Sequence, residues 1–509
     1  VLWWTSRSYV RSIMSNLNSL AHFWPELILA VTVIVAIIAD LFYRREDSYK
    51  VAWWLLGGLA LTLFSIRIGG SLVSSLFMGT IAVDPFSEFF KVLILLSTTL
   101  VILMSLNSKE LKEYRVGEYF SILAIMAFGL FLMASAIDIL MVYIAIEIVS
   151  IMSFFLAGYL KKKPESNEAS LKYVIYGAFS SGIMLYGLSI LFGLTGTTKF
   201  FEMQAAIASL GPDSSLALLL ATVFILVGFG YKISAVPFHF WTPDVYEGSP
   251  TTITAYLSVA PKAAGFAMLI RFFNQVLGDG SVMTSSTWLA LNGIPWPQLI
   301  AVLAAATMTV GNLVAIQQNS VKRMLAYSSI AHAGYMMMAL PLMSESGIYG
   351  IMMYLTMYLF MNLGAFYVVI YVEGTSGGES FEDFNGLGWK MPLVGGVMTL
   401  FMVALTGLPP TAGFIGKFYI FAAVIEAGSQ YYWLAFVGVV NSVISLYYYI
   451  RVVKHMYLTG ERSESVELPS SKLVIIVLLF LAIPTFVFGW YFGPVANWIS
   501  ESLVIFNGM

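Results

Sequence analysis

The sequence predicts an all-α polytopic membrane protein. Its expected architecture is about fourteen transmembrane helices, with two inverted five-helix repeats and breaks in helices seven and twelve. Three observations lead there. Hydrophobic residues make up 59% of the 509 residues and charged residues only 11%, whereas a soluble domain carries about 25% charge. Apolar runs of about 20 residues, the length that crosses a bilayer, recur along the chain. Lysines also sit inside two runs that prolines interrupt, Lys232 before Pro237 and Lys417 after Pro409 and Pro410.

Residues 1–22 read as an N-terminal extension. Its opening, VLWWTSRSYVRSIMSNLNSL, lacks the apolar core and small-residue cleavage site of a secretory signal. Met14 reads as the natural start of the membrane-spanning chain. Residues 23–106 carry three flanking spans, near 23–43, 51–67 and 86–106. The first repeat, 107–273, has spans near 117–136, 139–160, 171–194, 214–236 and 250–273. Its counterpart, 274–456, has spans near 297–317, 324–343, 347–372, 391–427 and 431–456. A last span near 471–496 lies within 457–509. The run 391–427 is too long for one straight crossing, and GLPP at 407–410 breaks it. The seventh and twelfth spans cross in opposite directions and each pairs a lysine with a break, as an inverted repeat requires.

Basic residues orient the chain. Arg44, Arg45 and Lys50, then Lys109, Lys112 and Arg115, then Lys161, Lys162 and Lys163 come after odd-numbered spans. So do Lys322 and Arg323, and Arg451, Lys454 and Arg462. All therefore lie on one side, which the positive-inside rule makes cytoplasmic, or its stromal or matrix equivalent. Both ends of the chain face the other side. The loop 373–390 is the largest polar insertion on the basic side, and it reads as a surface loop.

Composition also excludes chemistry. The chain has no cysteine, hence no disulfide and no thiolate-held iron–sulfur cluster. His22, His239, His332 and His455 are too scattered in sequence for a haem site. A phosphate loop of the GxxxxGK[ST] type is missing, as is an acidic metal loop, and the net charge of −2 gives nucleic acid no purchase. No metal and no cofactor is expected on this polypeptide.

What remains is charge inside hydrocarbon. A helix-centre lysine costs roughly 2.5–3.5 kcal/mol on insertion scales, while a leucine returns about 0.3–0.6. Lys232, Lys262 and Lys417 lie deep in their runs, and Glu147 lies in MVYIAIEIVSIMSFF. Such groups face a hydrated interior, pair with one another and mark ion pathways. Packing alone is the competing explanation for Glu147. Lys172, about two turns into a helix with an expected cap at Ser166 or Asn167, could instead snorkel to the interface. A buried lysine releases its proton more readily, which suits a relay. His239 and His332 are supporting candidates, each as compatible with packing as with proton transfer. Asp244 and Glu247 read as caps or loop charges at the cytoplasmic end.

Four stretches carry a resemblance to a known family. They are KISAVPFHFWTPDVYEGSPT from Lys232, SNEASLKYVIYGAFSSG ending at Gly182, KRMLAYSSIAHAGYM at 322–336 and GLPPTAGFIGKFYIF at 407–421. Together they resemble subunit N (subunit 2) of the proton-pumping NADH–quinone oxidoreductases, complex I, from about Pro25 onward. PDVYEGSP favours subunit N over the related subunits L and M. The resemblance implies proton-carrying roles for Glu147, Lys172, Lys232, Lys262 and Lys417, with Glu147 and Lys172 as partners and His239 and His332 in support. It implies flavin, iron–sulfur clusters and quinone in partner subunits, beside other membrane subunits, small helical subunits and lipid. It also implies an energy-transducing membrane, bacterial cytoplasmic or else thylakoid or organellar. The competing functions are a subunit of a multi-subunit cation/proton antiporter and a passive membrane scaffold.

Overall fold

In the computed structural model, which describes residues 16–68, 72–284, 287–291, 295–460, 469 and 471–506, helices take up most of the chain. Residues 1–15, including Met14, and Arg462 lie outside the described residues. The N-terminal part runs α1 (Asn16–Leu20), α2 (Trp24–Phe42) and α3 (Val51–Ile68). A short antiparallel hairpin, β1 (Ser74–Leu76) and β2 (Ile81–Val83), precedes α4 (Pro85–Ser105). Then come α5 (Val116–Ser135), α6 (Ile139–Ala157), α7 (Pro164–Thr195), α8 (Phe200–Ala208), α9 (Ser215–Ile233), α10 (Trp241–Gly248) and α11 (Thr251–Val276). A second antiparallel pair, β3 (Gly278–Thr284) and β4 (Thr287–Ala290), leads to α12 (Trp296–Ile316), α13 (Val321–Met337) and α14 (Glu345–Ser376). The chain continues through α15 (Leu387–Lys390), α16 (Pro392–Thr406), α17 (Ala412–Glu426), α18 (Tyr432–Leu458), α19 (Lys472–Val487) and α20 (Gly493–Glu501).

Eleven helices among the described residues are long and apolar enough to cross a bilayer. The protein is thus polytopic. α13, α16, α17 and α19 are shorter, and α16 with α17 fills the run too long for one crossing.

The elements begin and end where the sequence supplies a cap or a breaker. Asp84 caps α4 by accepting the Ser87 N–H at 2.8 Å. Asp138 caps α6, accepting from Leu140 N–H at 2.8 Å and from Thr198 Oγ1 at 2.6 Å. Ser320 and Ser344 cap α13 and α14. The expected cap of α7 is displaced. The helix starts at Pro164, after Lys163 and without a side-chain cap, and Ser166 donates instead to the Ala157 carbonyl at 2.8 Å. Proline at the first helical position needs no N–H partner, so α7 reaches out past the apolar run. The polar loop 373–390 is partly helix, because α14 runs on to Ser376, and Phe381 and Phe384 are buried.

α11 is buried along its described length, and α14 almost as completely. Small residues make that possible for α11: Ala260, Ala263, Ala264 and Gly265 let neighbours approach. Around these two pack α4, α5, α16, α17 and α19. Helix α2 by contrast keeps much of its surface outside, with Val31, Ile34, Ile38 and Leu41 all exposed, as expected of a lipid-facing or partner-facing helix.

Both interrupted runs are interrupted in space. After Ile233, Ser234 turns left-handed (φ 64°), and the chain resumes as helix at Trp241. After Thr406, Gly407 does the same (φ 87°), and α17 starts at Ala412. Each gap holds a cis peptide bond, Val236–Pro237 and Pro409–Pro410. The freed backbone groups find partners. Val236 N–H donates to Thr307 Oγ1 at 3.0 Å, and the Tyr231 carbonyl accepts Trp241 Nε1 at 3.1 Å. The Leu408 N–H returns to the Val403 carbonyl at 3.2 Å.

Candidate functional site

Each deep lysine sits at or beside a helix break or an internal proline. Lys232 is in the last turn of α9, just before Ser234. Lys262 comes directly after Pro261 inside α11. Lys417 is on α17, folded back toward the end of α16. All three are buried, with 3%, 0% and 4% of their surface exposed.

Their partners are uncharged. Lys232 Nζ donates to Ser150 Oγ on α6 at 3.0 Å. Lys262 Nζ donates to the carbonyl and hydroxyl of Ser329 on α13, at 2.6 and 2.9 Å. Lys417 Nζ donates to the Thr406 carbonyl at 2.7 Å and to Ser442 Oγ at 2.8 Å, and lies 4.6 Å from the centre of the Tyr335 ring. The Thr406 carbonyl is available because the helix stops there.

Helix α13 connects two of these lysines. Ser329, His332 and Tyr335 succeed one another at intervals of three residues, which puts them on one face. Ser329 holds Lys262 and Tyr335 lies under Lys417. Between them His332 uses both ring nitrogens, Nδ1 to Tyr354 Oη at 2.5 Å and Nε2 to Tyr449 Oη at 2.9 Å. The charges of Lys262 and Lys417 both reach its ring.

On the other flank, Glu147 lies one turn before Ser150 on α6, and its charge reaches Lys232. The Oε1 atom of Glu147 is buried without a hydrogen-bond partner. His239, in the first break, is 6% exposed, and its Nδ1 likewise has no hydrogen-bond partner.

Lys172 does not join Glu147 in this structure. Its Nζ lies 2.8 Å from Glu168 and 2.6 Å from Asp244, and its side chain is 37% exposed. The reason is position: only the first turns of α7 separate Lys172 from the basic face, where α10 presents Asp244. Asp244 also pairs with Arg323 at 2.9 Å, and Arg323 pairs with Glu247. These two carboxylates, taken from sequence as caps or loop charges, form an ion network at a mouth.

That mouth is an open cavity of about 660 Å³ lined by Glu110, Lys163, Lys172, Asp244, Lys322 and Glu373, among others. Lys322 is buried, donating to the Glu247 and Ser249 carbonyls at 3.0 and 2.9 Å. Glu110 accepts the Thr251 N–H at 3.0 Å and Lys163 Nζ at 2.8 Å. Burial pushes the Glu110 carboxyl up, but Lys322 and Lys163 outweigh it and hold the carboxyl below its usual range. The Thr251 hydroxyl donates to Glu373 at 2.7 Å. Hence the start of α11, the helix that carries Lys262, is hung from two carboxylates.

Sequence reasoning missed two further buried pairs. Arg271 grips Asp84 with two bonds, at 2.8 and 2.9 Å, and Lys91 lies 2.6 Å from Glu26. The signal that marks Lys232 marks these too, since Lys91 and Arg271 both stand in apolar runs. Among the described residues no three histidine, aspartate or glutamate side chains group as a metal site.

Comparison with known proteins finds relatives over nearly the whole chain. Residues 136–445 match the family described as NADH:quinone oxidoreductase/Mrp antiporter, transmembrane. The NADH-quinone oxidoreductase subunit N 2 of Sorangium cellulosum is 46% identical over 96% of this chain and 98% of its own length. That of an Anaeromyxobacter species, named subunit N, is 42% identical over 98% of this chain and 100% of its own. Among solved structures, a chain of respiratory complex I from Thermus thermophilus superposes with a TM-score of 0.75 at 30% identity, covering 93% of this chain and 98% of that one.

Proposed function

The chain belongs to the subunit N family of NADH–quinone oxidoreductases, the antiporter-like membrane subunits of proton-translocating complexes, and on that premise we propose that Glu147, Lys232, Lys262 and Lys417 carry its protons. The order runs from Glu147 on α6 to Lys417 on α17. Protons enter from the basic face through the mouth around Lys172, Asp244 and Arg323. There Lys172 and Asp244 are the pair that opens and closes, in place of the Glu147–Lys172 pair that the resemblance implied. Inside, a proton on Lys232 is favoured while Glu147 is ionised and disfavoured once Glu147 is protonated, so the two exchange occupancy. Lys262 passes its proton toward Lys417 along α13. The hydroxyls of Tyr354 and Tyr449 and the two nitrogens of His332 can donate and accept in turn. Water fills the gaps that side chains cannot bridge. His239, at the first break, supports Lys232.

The single observation that carries this reading is the α13 face. A histidine with both nitrogens engaged stands between two buried lysines that have no carboxylate partner. In the same reading the chain makes fourteen crossings, with α5–α11 and α12–α18 as inverted repeats broken at Pro237 and at Pro409 and Pro410. Residues 107–273 and 274–456 are those repeats, flanked by 23–106 and 457–509. Electron transfer belongs elsewhere: flavin, iron–sulfur clusters and quinone sit in partner subunits, beside further antiporter-like and small helical subunits and lipid. The complex occupies an energy-transducing membrane, the bacterial cytoplasmic membrane by preference. The antiporter alternative shares the family, but the near full-length relatives are oxidoreductase subunits.

His332→Phe tests the link, because it keeps a ring and removes both nitrogens. The complex should assemble, while proton pumping and coupled quinone reduction fall together by at least about tenfold, the lower range for losing a general acid–base group being about a hundredfold. Normal pumping by the assembled variant would break the chain at its centre.

A further inference from the structure

The buried charges on the face opposite the basic loops are not used by the route above. α2 and α4 enter the membrane from that face, and Glu26, Glu88 and Lys91 lie in their first two turns. Glu26 Oε1 is 2.6 Å from Lys91 Nζ, and the two side chains are 1% and 2% exposed. The second oxygen, Oε2, is buried with no hydrogen-bond partner. Glu88 stands close enough for the charges of Lys91, Asp84, Glu26 and Arg67 to act on it, and forms no ion pair among the described residues. Asp84 pairs with Arg271 and Glu26 with Lys91, so Glu88 is the carboxylate of this group that no cation among the described residues contacts, Arg67 acting on it only at longer range.

These side chains floor a cavity of about 340 Å³, within the usual span of small-ligand pockets, about 300–1,000 Å³. Its walls are apolar. Trp24, Leu61, Phe64 and Ile68 line it and are exposed on the outside of the bundle. Trp24 marks the level where tryptophan settles, between headgroup and hydrocarbon.

The occupant must therefore combine an apolar body with a cation that can donate hydrogen bonds to Glu88 and to the free oxygen of Glu26. We propose that this cavity binds a phospholipid with a primary-amine headgroup. Its ammonium lies between Glu88 and the free oxygen of Glu26. The phosphate stays at the rim, on the side of the exposed Arg67, and one acyl chain runs along Leu61 and Phe64. A quaternary amine has no N–H to give these carboxylates. An anionic headgroup without a cation would leave both carboxylates without a donor.

The test uses the purified complex that contains this chain, exchanged into nanodiscs holding equal amounts of phosphatidylethanolamine, phosphatidylcholine and phosphatidylglycerol. Lipid retained by the complex is counted by native mass spectrometry. Phosphatidylethanolamine should be enriched over phosphatidylcholine. Both Glu88→Gln, which removes the charge, and Leu61→Trp, which fills the cavity, should lower that retention, the former roughly tenfold at the site. Quinone reduction should not change. An enrichment absent from the native complex, or one that survives both substitutions, would overturn the proposal. So would a photoreactive benzoylphenylalanine in place of Phe64 that crosslinks to a neighbouring polypeptide instead of to lipid.

Discussion

Lys262 and Arg271 both lie on α11 with no exposed surface, yet they are held differently. Two bonds to Asp84 fix Arg271, and the Phe506 N–H completes the same carboxylate at 2.8 Å. Lys262 has only the oxygens of one serine. A guanidinium tied to a carboxylate stays charged at any physiological pH, whereas a buried ammonium with neutral partners can give up its proton. We read the first as structural and the second as functional, and the same distinction sets Lys232 and Lys417 apart from Lys91. Burial raises the Asp84 carboxyl, but the charge and bonds of Arg271 and two backbone N–H groups prevail, so it lies below its usual value. The pair's contribution is then complete above the ordinary aspartate pKa of about 3.9 and is lost as pH falls through the lower folded value. Asp84→Asn strands a buried guanidinium, a loss of about 3–5 kcal/mol. Thermal unfolding of the complex should show the variant less stable at neutral pH, with the gap narrowing below about pH 4. A gap constant with pH would rule out this role for the ionised carboxylate.

Among elements, the breaks were the most legible feature. Pro237 and the GLPP run announce them, because proline cannot continue a helix and a lysine beside a break has freed backbone to bind. The ends of α9 and α16 fall where those residues require. The partner of Lys172 was not legible, since nothing local tells that α10 swings Asp244 over α7. Nor could sequence separate Lys91 and Arg271 from the carriers, because a lysine's partner is decided by a helix far along the chain. The second break also sets a tight fit. A Cβ at Gly413 would stand 1.8 Å from the Ala404 carbonyl oxygen, backbone against backbone. Gly413→Val should therefore push α17 off α16 and pull Lys417 from Thr406. Expected outcomes are poorer assembly and, in whatever assembles, coupled activity reduced by at least about tenfold, a geometric displacement near a reacting group costing about a hundredfold. Gly396, whose Cβ would meet nothing within 4 Å, supplies the control, and Gly396→Ala should be silent. Equal behaviour of the two variants would show that this contact does not position Lys417.

Over the whole molecule, the loops on the basic face are stitched together, Lys162 to Glu113 at 3.1 Å, Lys163 to Glu110 at 2.8 Å, and Arg451 to the Gln318 carbonyl at 2.8 Å. Agreement of these loops with the charge rule made the polytopic class and the basic side readable from composition and periodicity alone. The small helix α8 and the strands β3 and β4 in the opposite loops were not foreseen, since short polar segments carry little periodic signal. Behind the basic face lies the mouth, and beyond it a row of buried groups that ends at Lys417. Proton passage along that row requires those groups to change protonation. The measurement that reaches this most directly is proton pumping by Lys262→Arg in sealed vesicles, with quinone reduction tracked in the same sample. Arginine keeps the positive charge and cannot deprotonate. The assembled variant should lose pumping and coupled quinone reduction together, by at least about tenfold, as for a missing acid–base group. Pumping at the native rate would contradict the proposed route, leaving Lys262 a fixed charge that no proton passes through.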